Sequence, residues 1–324
     1  MNKLRDKKSI VFLSIFMIAI LVMGISYFSY TSETEEEIYQ ISYIHRKSTL
    51  DESQQSIKQG IGQAATDYNF ELKDVAFDRD TLYFEQMAII EKEVENGADA
   101  ILVEAIDKEE VYTLLKEINK SVPVVLVNGE VAEETNGLIC VNADYYDMGY
   151  EFGTYIGSRE ENKKISVLLD TTEFADKDQM VKGMCDALNA AEKEITMVSI
   201  ATEESMGDVL NDFALGKYLT DAFVVFDADD LEYIGKKKED VNALRQIDLY
   251  GFEKSNKIIT YLESDIVDGL VVSNEYSIGY LCGENAVKML NHISVKNQQV
   301  EYRIIDATQI YTVENQRLLF PFLQ

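Results

Sequence analysis

The chain of 324 residues is poor in the side chains on which much protein chemistry runs: it has three cysteines, two histidines and two prolines. Cys140, Cys185 and Cys282 are odd in number and far apart, each in an apolar context (GLICV, KGMCDAL, GYLCGEN). They read as core thiols, which excludes a disulfide frame and a cysteine metal site. His45 and His292 have no Cys or His neighbour at ligand spacing, so metal-dependent and Ser-His-Asp chemistry lack material, and no cofactor is expected. Basic residues are scarce too, 30 against 58 acidic ones, giving a formal net charge of −28. Nucleic acid is excluded as a partner, because phosphate binding needs clustered Lys and Arg. The acidity suits a surface-exposed protein whose body stands clear of anionic lipid. The loop FDADDLE (226–232) has the acidic residues of a calcium loop but lacks its glycine and distal glutamate, so helix capping by Asp229 or Asp230 is expected there.

One shortage is local. No charged residue lies between Lys8 and Glu33, and the run 10–28 (IVFLSIFMIAILVMGISYF) is almost wholly aliphatic or aromatic. A helix of roughly 19 residues spans about 29 Å, close to the hydrocarbon thickness of a bilayer. Lys3, Arg5, Lys7 and Lys8 precede the run and Glu33, Glu35, Glu36 and Glu37 follow it, which sets the cationic side in the cytoplasm. The expectation is a cytoplasmic tail (1–9), a single-pass transmembrane anchor (10–30), an acidic linker (31–37) and an extracytoplasmic body (38–324). A cleaved secretory signal is the competing reading. Its apolar core is shorter, about 7 to 15 residues, and it is not followed by interface aromatics such as Tyr27, Phe28 and Tyr30.

Beyond residue 37, apolar strand-like runs alternate with amphipathic helical stretches. The predicted strand and helix pairs are 38–44 with 51–68, 75–77 with 83–96, and 100–104 with 108–119, then strand 122–127 and 138–141 with 145–158. The pattern restarts with 165–169 and 177–191, 195–200 and 206–219, 223–226 and 230–236, 247–250 and 254–263, and 269–272 and 277–291, closing at 302–308. Repeated βα units imply parallel sheets with helices on both faces, and a 46% hydrophobic content supports a sizeable core. The expected fold class is α/β, with two doubly wound parallel-sheet lobes. Lobe 1 covers about 38–160 plus a late crossover segment, and lobe 2 about 161–300. With prolines only at 123 and 321 and no Gly/Ser-rich stretch, the lobes are joined by short hinges around a cleft.

Six segments in order carry a resemblance: SIKQGIGQAATDYNFEL (56–72), IIEKEVENGADAILVEAIDKEEV (89–111), VPVVLVN (122–128), VKGMCDAL (181–188), LYGFEKS (249–255) and SIGYLCGENAVKML (277–290). Together they resemble the type I periplasmic binding proteins of the ribose- and galactose-binding group, over nearly all of 38–312. The resemblance implies two lobes that close on a small polar, sugar-like ligand, with Asn128, Asn142 and Glu253 at ligand-contacting positions. It also implies a membrane partner, either an ABC-type permease or a sensor histidine kinase. The closing segment IYTVENQRLLFPFLQ (310–324) resembles that of anchored members tied to sensing, with Leu318, Leu319, Phe320 and Phe322 expected to dock on the body. Regulators of the same fold carry a basic helix-turn-helix where this chain has its apolar run.

Physical reasoning leads to the same residues. Open α/β sheets bind ligands beyond the carboxyl ends of their strands. The polar residues there are His45, Arg46, Asp78, Glu104, Asn128, Asn142, Asp170, Asp227, Glu253, Ser273 and Asn274, with aromatic neighbours Phe77, Tyr145, Phe174, Phe226, Phe252 and Tyr276. Hydroxyls met at the edge and C–H faces stacked on rings are what a sugar requires. The expected ligand set is Arg46, Asp78, Asn128, Asn142, Asp170, Phe174, Asp227, Glu253, Ser273 and Asn274, while Asp51, Asp144, Asp176, Asp229 and Ser255 serve as helix caps. Family members usually carry an Asp-Arg pair after the fourth strand and an Arg before the Gly-hydrophobic pair; here Asn128-Gly129 and Met180 stand instead. Without those guanidiniums the cleft is rich in acceptors, with Arg46 as its remaining cation. Two alternatives stay open: a degenerate fold serving as an interaction scaffold, and glycoside chemistry by carboxylates such as Asp78, Asp170 or Asp227.

Overall fold

The computed structural model describes residues 16–23, 38–47, 52–78, 81–129, 135–159, 161, 163–170, 175–200 and 203–320. The chain divides into two compact units, Met1–Ile38 and Tyr39–Gln324. In the first, residues 16–23 are helical and their side chains exposed. No helix among the described residues is long and apolar enough to cross a membrane. The rest of the expected anchor, the cytoplasmic tail and the acidic linker lie outside the described residues.

The second unit holds two six-stranded sheets. Sheet 1 contains β1 (Tyr39–Arg46), β2 (Phe70–Phe77), β3 (Ala100–Val103), β4 (Val124–Val127), β5 (Ile139–Ala143) and β11 (Gln298–Val300), in the order β11-β5-β4-β3-β1-β2. Sheet 2 contains β6 (Lys164–Asp170), β7 (Glu194–Ile200), β8 (Ala222–Val225), β9 (Asp248–Phe252), β10 (Gly269–Ser273) and β12 (Tyr302–Ile305), in the matching order β12-β10-β9-β8-β6-β7. The helices are α1 (Glu52–Tyr68), α2 (Tyr83–Glu95), α3 (Glu109–Ile118), α4 (Tyr145–Gly157), α5 (Ala175–Ala190), α6 (Glu203–Ala214), α7 (Ala228–Asp240), α8 (Asn256–Glu263), α9 (Glu275–Leu290) and α10 (Val313–Leu319). The central strands are short and apolar on both faces: AILV in β3, VVLV in β4 and AFVV in β8 are wholly buried. Helices on each side of both sheets make that burial possible.

The lobes do not part near residue 160. Phe152 and Ile156 of α4 pack with Ile165, Val224, Tyr250 and Phe252, so α4 covers sheet 2. Ile278, Cys282 and Ala286 of α9 pack with Ile41, Ile57 and Val125, so α9 covers sheet 1. The chain therefore changes lobe at Asp144, at Asn274 and at Glu301, each time at the carboxyl edge of a sheet. Asn274 N donates to Glu301 O at 3.0 Å and Gln299 Nε2 to Asp144 Oδ2 at 3.2 Å, so the three crossings are bonded to one another.

These crossings explain one departure from an all-parallel plan, since β12 pairs antiparallel with β10. β11 is parallel to β5 and ends at the carboxyl edge of sheet 1, and only Glu301 separates it from β12. A strand entering sheet 2 from that side must run against its neighbours. β2 also differs from expectation, with eight residues where the sequence predicted three. It is an edge strand and largely exposed, so its Glu71, Lys73 and Asp74 gave no apolar signal.

Helices of each lobe meet at glycines. A Cβ on Gly279 of α9 would lie 2.0 Å from Ile57 O of α1, and one on Gly60 of α1 would lie 2.1 Å from Tyr276 O. In lobe 2 the same crossing recurs: a Cβ on Gly149 of α4 would lie 2.1 Å from Met180 O, and one on Gly183 of α5 would lie 2.1 Å from Tyr146 O. Leu318 and Leu319 of α10 are buried with Ile305 and Ile310, so the tail docks on lobe 2 as expected, and Phe320 is partly buried against the same core. Phe322 lies outside the described residues.

Candidate ligand-binding site

Because every parallel strand ends toward the crossings, the carboxyl edges of both sheets border the same interlobe region. Arg46 ends β1, Asp78 follows β2, Asn128 follows β4 and Asn142 is the penultimate residue of β5. From the other lobe come Asp170 at the end of β6, Asp227 two residues past β8, Glu253 after β9, Ser273 at the end of β10, and Asn274. Topology thus brings nine of the ten expected residues to one region; the side chain of Asp170, and Phe174 altogether, lie outside the described residues.

Their surroundings differ. Arg46 is partly buried; its carbonyl accepts from Gln54 Nε2 and lies 2.9 Å from His45 Nδ1. His45 is 1% exposed, and its other ring nitrogen is 2.6 Å from Asp74 Oδ1, whose second oxygen accepts from Lys58 at 2.8 Å. Burial pushes the Asp74 carboxyl up, but the Lys58 hydrogen bond and the His45 charge outweigh it and hold the group below its ordinary range. Glu104 accepts from Tyr43 OH and lies 3.4 Å from Arg46 N.

Asn128 and Glu253 share a feature. Both are non-glycine residues in the left-handed region, φ 57 for Asn128 and φ 81 for Glu253. They occupy equivalent places: Asn128 N donates to Val141 O on the next strand at 3.0 Å, and Glu253 N donates to Val271 O at 3.3 Å. Such backbone costs of order 1–3 kcal/mol and collects at functional sites. Asn128 Oδ1 accepts from Tyr145 OH at 2.8 Å, a contact that joins β4 to the first helix of the other lobe.

Asn142 is 5% exposed. Its Nδ2 donates to Gly129 O at 2.7 Å, and because a carbonyl only accepts, that bond fixes which way the amide faces. Asn142 Oδ1 then remains a buried acceptor with no hydrogen-bond partner among the described residues. Such an atom in a protein interior costs roughly 1–3 kcal/mol unless something donates to it.

Several expected ligand residues are engaged by the fold itself. Asp227 caps α7 by accepting from Asp229 N at 3.1 Å, so the cap is neither Asp229 nor Asp230. Asn274 caps α9 through Ser277 N at 3.1 Å, and Ser273 Oγ donates to Glu275 at 3.1 Å. Asp78 is exposed and ion-paired with Lys47 at 2.8 Å, which puts it at the rim. Asp144 and Ser255 are helix caps as expected. The aromatic expectation is corrected: Phe226 and Phe252 stack on each other at 4.3 Å in the core beneath the strand ends, and Phe77 is core as well.

Sequence reasoning missed Lys254. Its Nζ is buried, donating to Glu275 Oε2 at 2.7 Å and to Leu318 O at 2.6 Å, so the residue after Glu253 ties α9 and α10 together. The cysteines are free thiols, Cys140 and Cys282 buried and Cys185 partly so. Burial pushes Cys140 up to about 11 and Cys282 well above its ordinary value, which makes both unreactive. Among the described residues no cluster of His, Cys, Asp and Glu is arranged to hold a metal.

Residues 46–294 match the family model described as a periplasmic binding protein domain. No curated protein matches. Among solved structures, the chain is similar to GanP, a glucose-galactose binding protein from Geobacillus stearothermophilus, with TM-score 0.74 and 18% identity over 86% of this chain and 100% of that one. A carbohydrate transporter solute-binding protein from Agrobacterium radiobacter, solved with D-arabinose, gives 0.78 and 15% over 88% and 100%. A chain of the XylFII-LytSN complex gives 0.73 and 13% over 84% and 99%. At these identities the likeness carries the fold alone, and with the family match over most of its length the chain belongs to the type I periplasmic binding protein family.

Proposed function

We propose that this chain is an extracytoplasmic solute-binding protein, tethered by its N-terminal helix, that closes two lobes on a small polar ligand of the sugar type. The pair Asn128 and Glu253 carries the reading. Two strained residues sit at matching strand ends of opposite lobes, where only the closed form would let one ligand touch both. The sugar-bound solute-binding proteins of the same fold support the ligand class. The exposed apolar helix at 16–23 supports the tether. Its partner is a sensor histidine kinase or an ABC-type permease. A neighbour of the same fold, solved as the XylFII-LytSN complex, supports a protein partner.

The test is thermal unfolding of the full-length protein in detergent against a broad panel of sugars, polyols and amines. A ligand at 100 times its Kd adds about 2.7 kcal/mol to stability, a shift of several degrees. The second reading, an interaction scaffold, is favoured by the engagement of Ser273, Asn274, Asp227 and Asp78 within the fold. A panel with no shift at millimolar concentrations would move the assignment to that scaffold. Fractionation tests the tether: the intact chain stays with membranes at high salt, and release there would sink it.

A further inference from the structure

The two crossings that lead from a strand into a helix are fastened alike. In each, the first residue of the helix has entered the new lobe and bonds back to a strand end of the lobe just left. Tyr145 of α4 donates to Asn128 beyond β4 at 2.8 Å, and Glu275 of α9 accepts from Lys254 beyond β9 at 2.7 Å. The first fastening is neutral. The second is a buried ion pair, with Lys254 2% and Glu275 6% exposed, and it carries two further bonds. Ser273 Oγ donates to Glu275 Oε1 at 3.1 Å, and Lys254 Nζ also donates to Leu318 O of α10 at 2.6 Å. That carbonyl stands in the last turn of α10, where the helix supplies no donor of its own. α10 is in turn seated in the lobe 2 core through Leu318 and Leu319.

Lobe movement at these crossings turns α9, and Glu275 with it, against sheet 2, which carries Lys254 and α10. Glu275 then either draws the ammonium along, pulling it off Leu318 O, or leaves it behind as a buried charge without its partner. Both are costly. We propose that this junction is a brake on lobe movement and that α10 loads it. With α10 seated, Lys254 is fixed, Glu275 is fixed to it, and the lobes keep a narrow range of angles; with α10 lifted, the range widens. Lys254 is a positioning residue here, acting on the hinge through Glu275. The inference rests on the solute-binding reading for its use, as a control on closure, but the movement belongs to the ligand-free protein.

Two spin labels measure the movement in the full-length, ligand-free protein in detergent. They are placed by Glu117→Cys on α3 of lobe 1 and Asn211→Cys on α6 of lobe 2, both exposed positions, in a Cys185→Ser background. Lys254→Met with Glu275→Leu is expected to shift or widen the interlobe distance distribution by more than about 2 Å. A chain ending at Tyr311, and so lacking α10, should do the same. Asp268→Asn, at the amino edge of sheet 2 and away from the crossings, should leave the distribution unchanged. Either of the first two variants, folded and with the distribution of the unaltered chain, overturns the proposal. Equal widening by Asp268→Asn also overturns it, because that marks general loosening. If neither brake variant folds, hydrogen exchange on the unaltered protein decides. The Gln316 and Phe320 amides, bonded to Thr312 O and Gln316 O, and the Ile278 amide, bonded to Asn274 O, should then open with one common free energy. Independent opening of α10 overturns the brake. None of these readouts needs a ligand, so a sugar panel without thermal shift removes the solute-binding reading and leaves the brake standing.

Discussion

The two lobes repeat one another residue by residue at their helix crossings and differ where their strands end. Asp144, Tyr146, Gly149, Tyr150 and Gly153 on α4 recur at the same spacing as Asn274, Tyr276, Gly279, Tyr280 and Gly283 on α9. Both series open on a cap at a lobe crossing, and both lay glycines against a partner helix backbone. At the strand ends the repetition stops. After the left-handed Asn128 of lobe 1 comes Gly129, and after the left-handed Glu253 of lobe 2 comes buried Lys254. At that matched position lobe 1 offers an amide and lobe 2 a carboxylate. The backbone frame is thus duplicated and the chemistry is not, which suits a site that must hold one asymmetric ligand from two sides.

Breaking the lysine should have the largest effect. Lys254→Ala leaves the Glu275 carboxylate buried with its cation gone and Leu318 O without its donor, and should destabilise by about 3–5 kcal/mol in urea unfolding. The double variant Lys254→Met with Glu275→Leu should recover most of the loss, because an apolar pair of similar volume needs no partner. A single variant within ~1 kcal/mol of the unaltered protein would remove the main distinction between the lobes. Next come the glycines. Gly149→Ala and Gly279→Ala should each destabilise by about 1–3 kcal/mol, since the new methyl meets backbone carbonyls that cannot turn aside. Equal losses sharpen the comparison, and one silent substitution breaks it.

Much of the frame was legible in the sequence because it is local. The buried β-branched runs of β4, β8 and β10 announce themselves, and the helices between them carry apolar faces. Assigning α4 and α9 to their sheets was not legible, because periodicity shows that a helix has an apolar face without showing which sheet it covers. The site was legible as a set of strand ends, since topology alone gathers them. Which members the fold had already engaged was not: Ser273 bonding to Glu275, or Phe226 stacking on Phe252, depends on packing. Lys254 escaped because Glu275 is 21 residues away and Leu318 is 64.

The left-handed pair permits a finer test. Glycine adopts positive φ without strain, so Glu253→Gly should stabilise by about 1 kcal/mol while weakening ligand binding. Asn128→Gly should gain little or nothing, because asparagine tolerates that region better than glutamate does and the variant gives up the bond from Tyr145 OH. Lost stability at both positions, read from denaturation midpoints, would mean that their side chains serve structure rather than ligand.

The smallest expected effect is acid response, and the lobes should differ in its sign. In lobe 1, burial raises Glu93 but hydrogen bonds from Lys73 and Ser42 outweigh it, and Asp74 is lowered similarly by Lys58 and His45. A carboxyl lowered by folding stabilises above its unfolded value, about 4, and that contribution is lost as pH falls through the lower folded value. In lobe 2, burial raises Asp268 despite Lys238 at 3.5 Å and the hydrogen bond from Leu249 N. A carboxyl raised by folding favours the protonated native state, so stability rises as pH falls through its folded value and the gain is complete below about 4. Denaturation midpoints followed from neutral pH downward should therefore show a shallow gain that Asp268→Asn removes, then a loss below about 4 that Asp74→Asn reduces. Asp74 is half exposed, so its share is the smaller, and a profile unchanged by Asp268→Asn would show that burial does not govern that carboxyl.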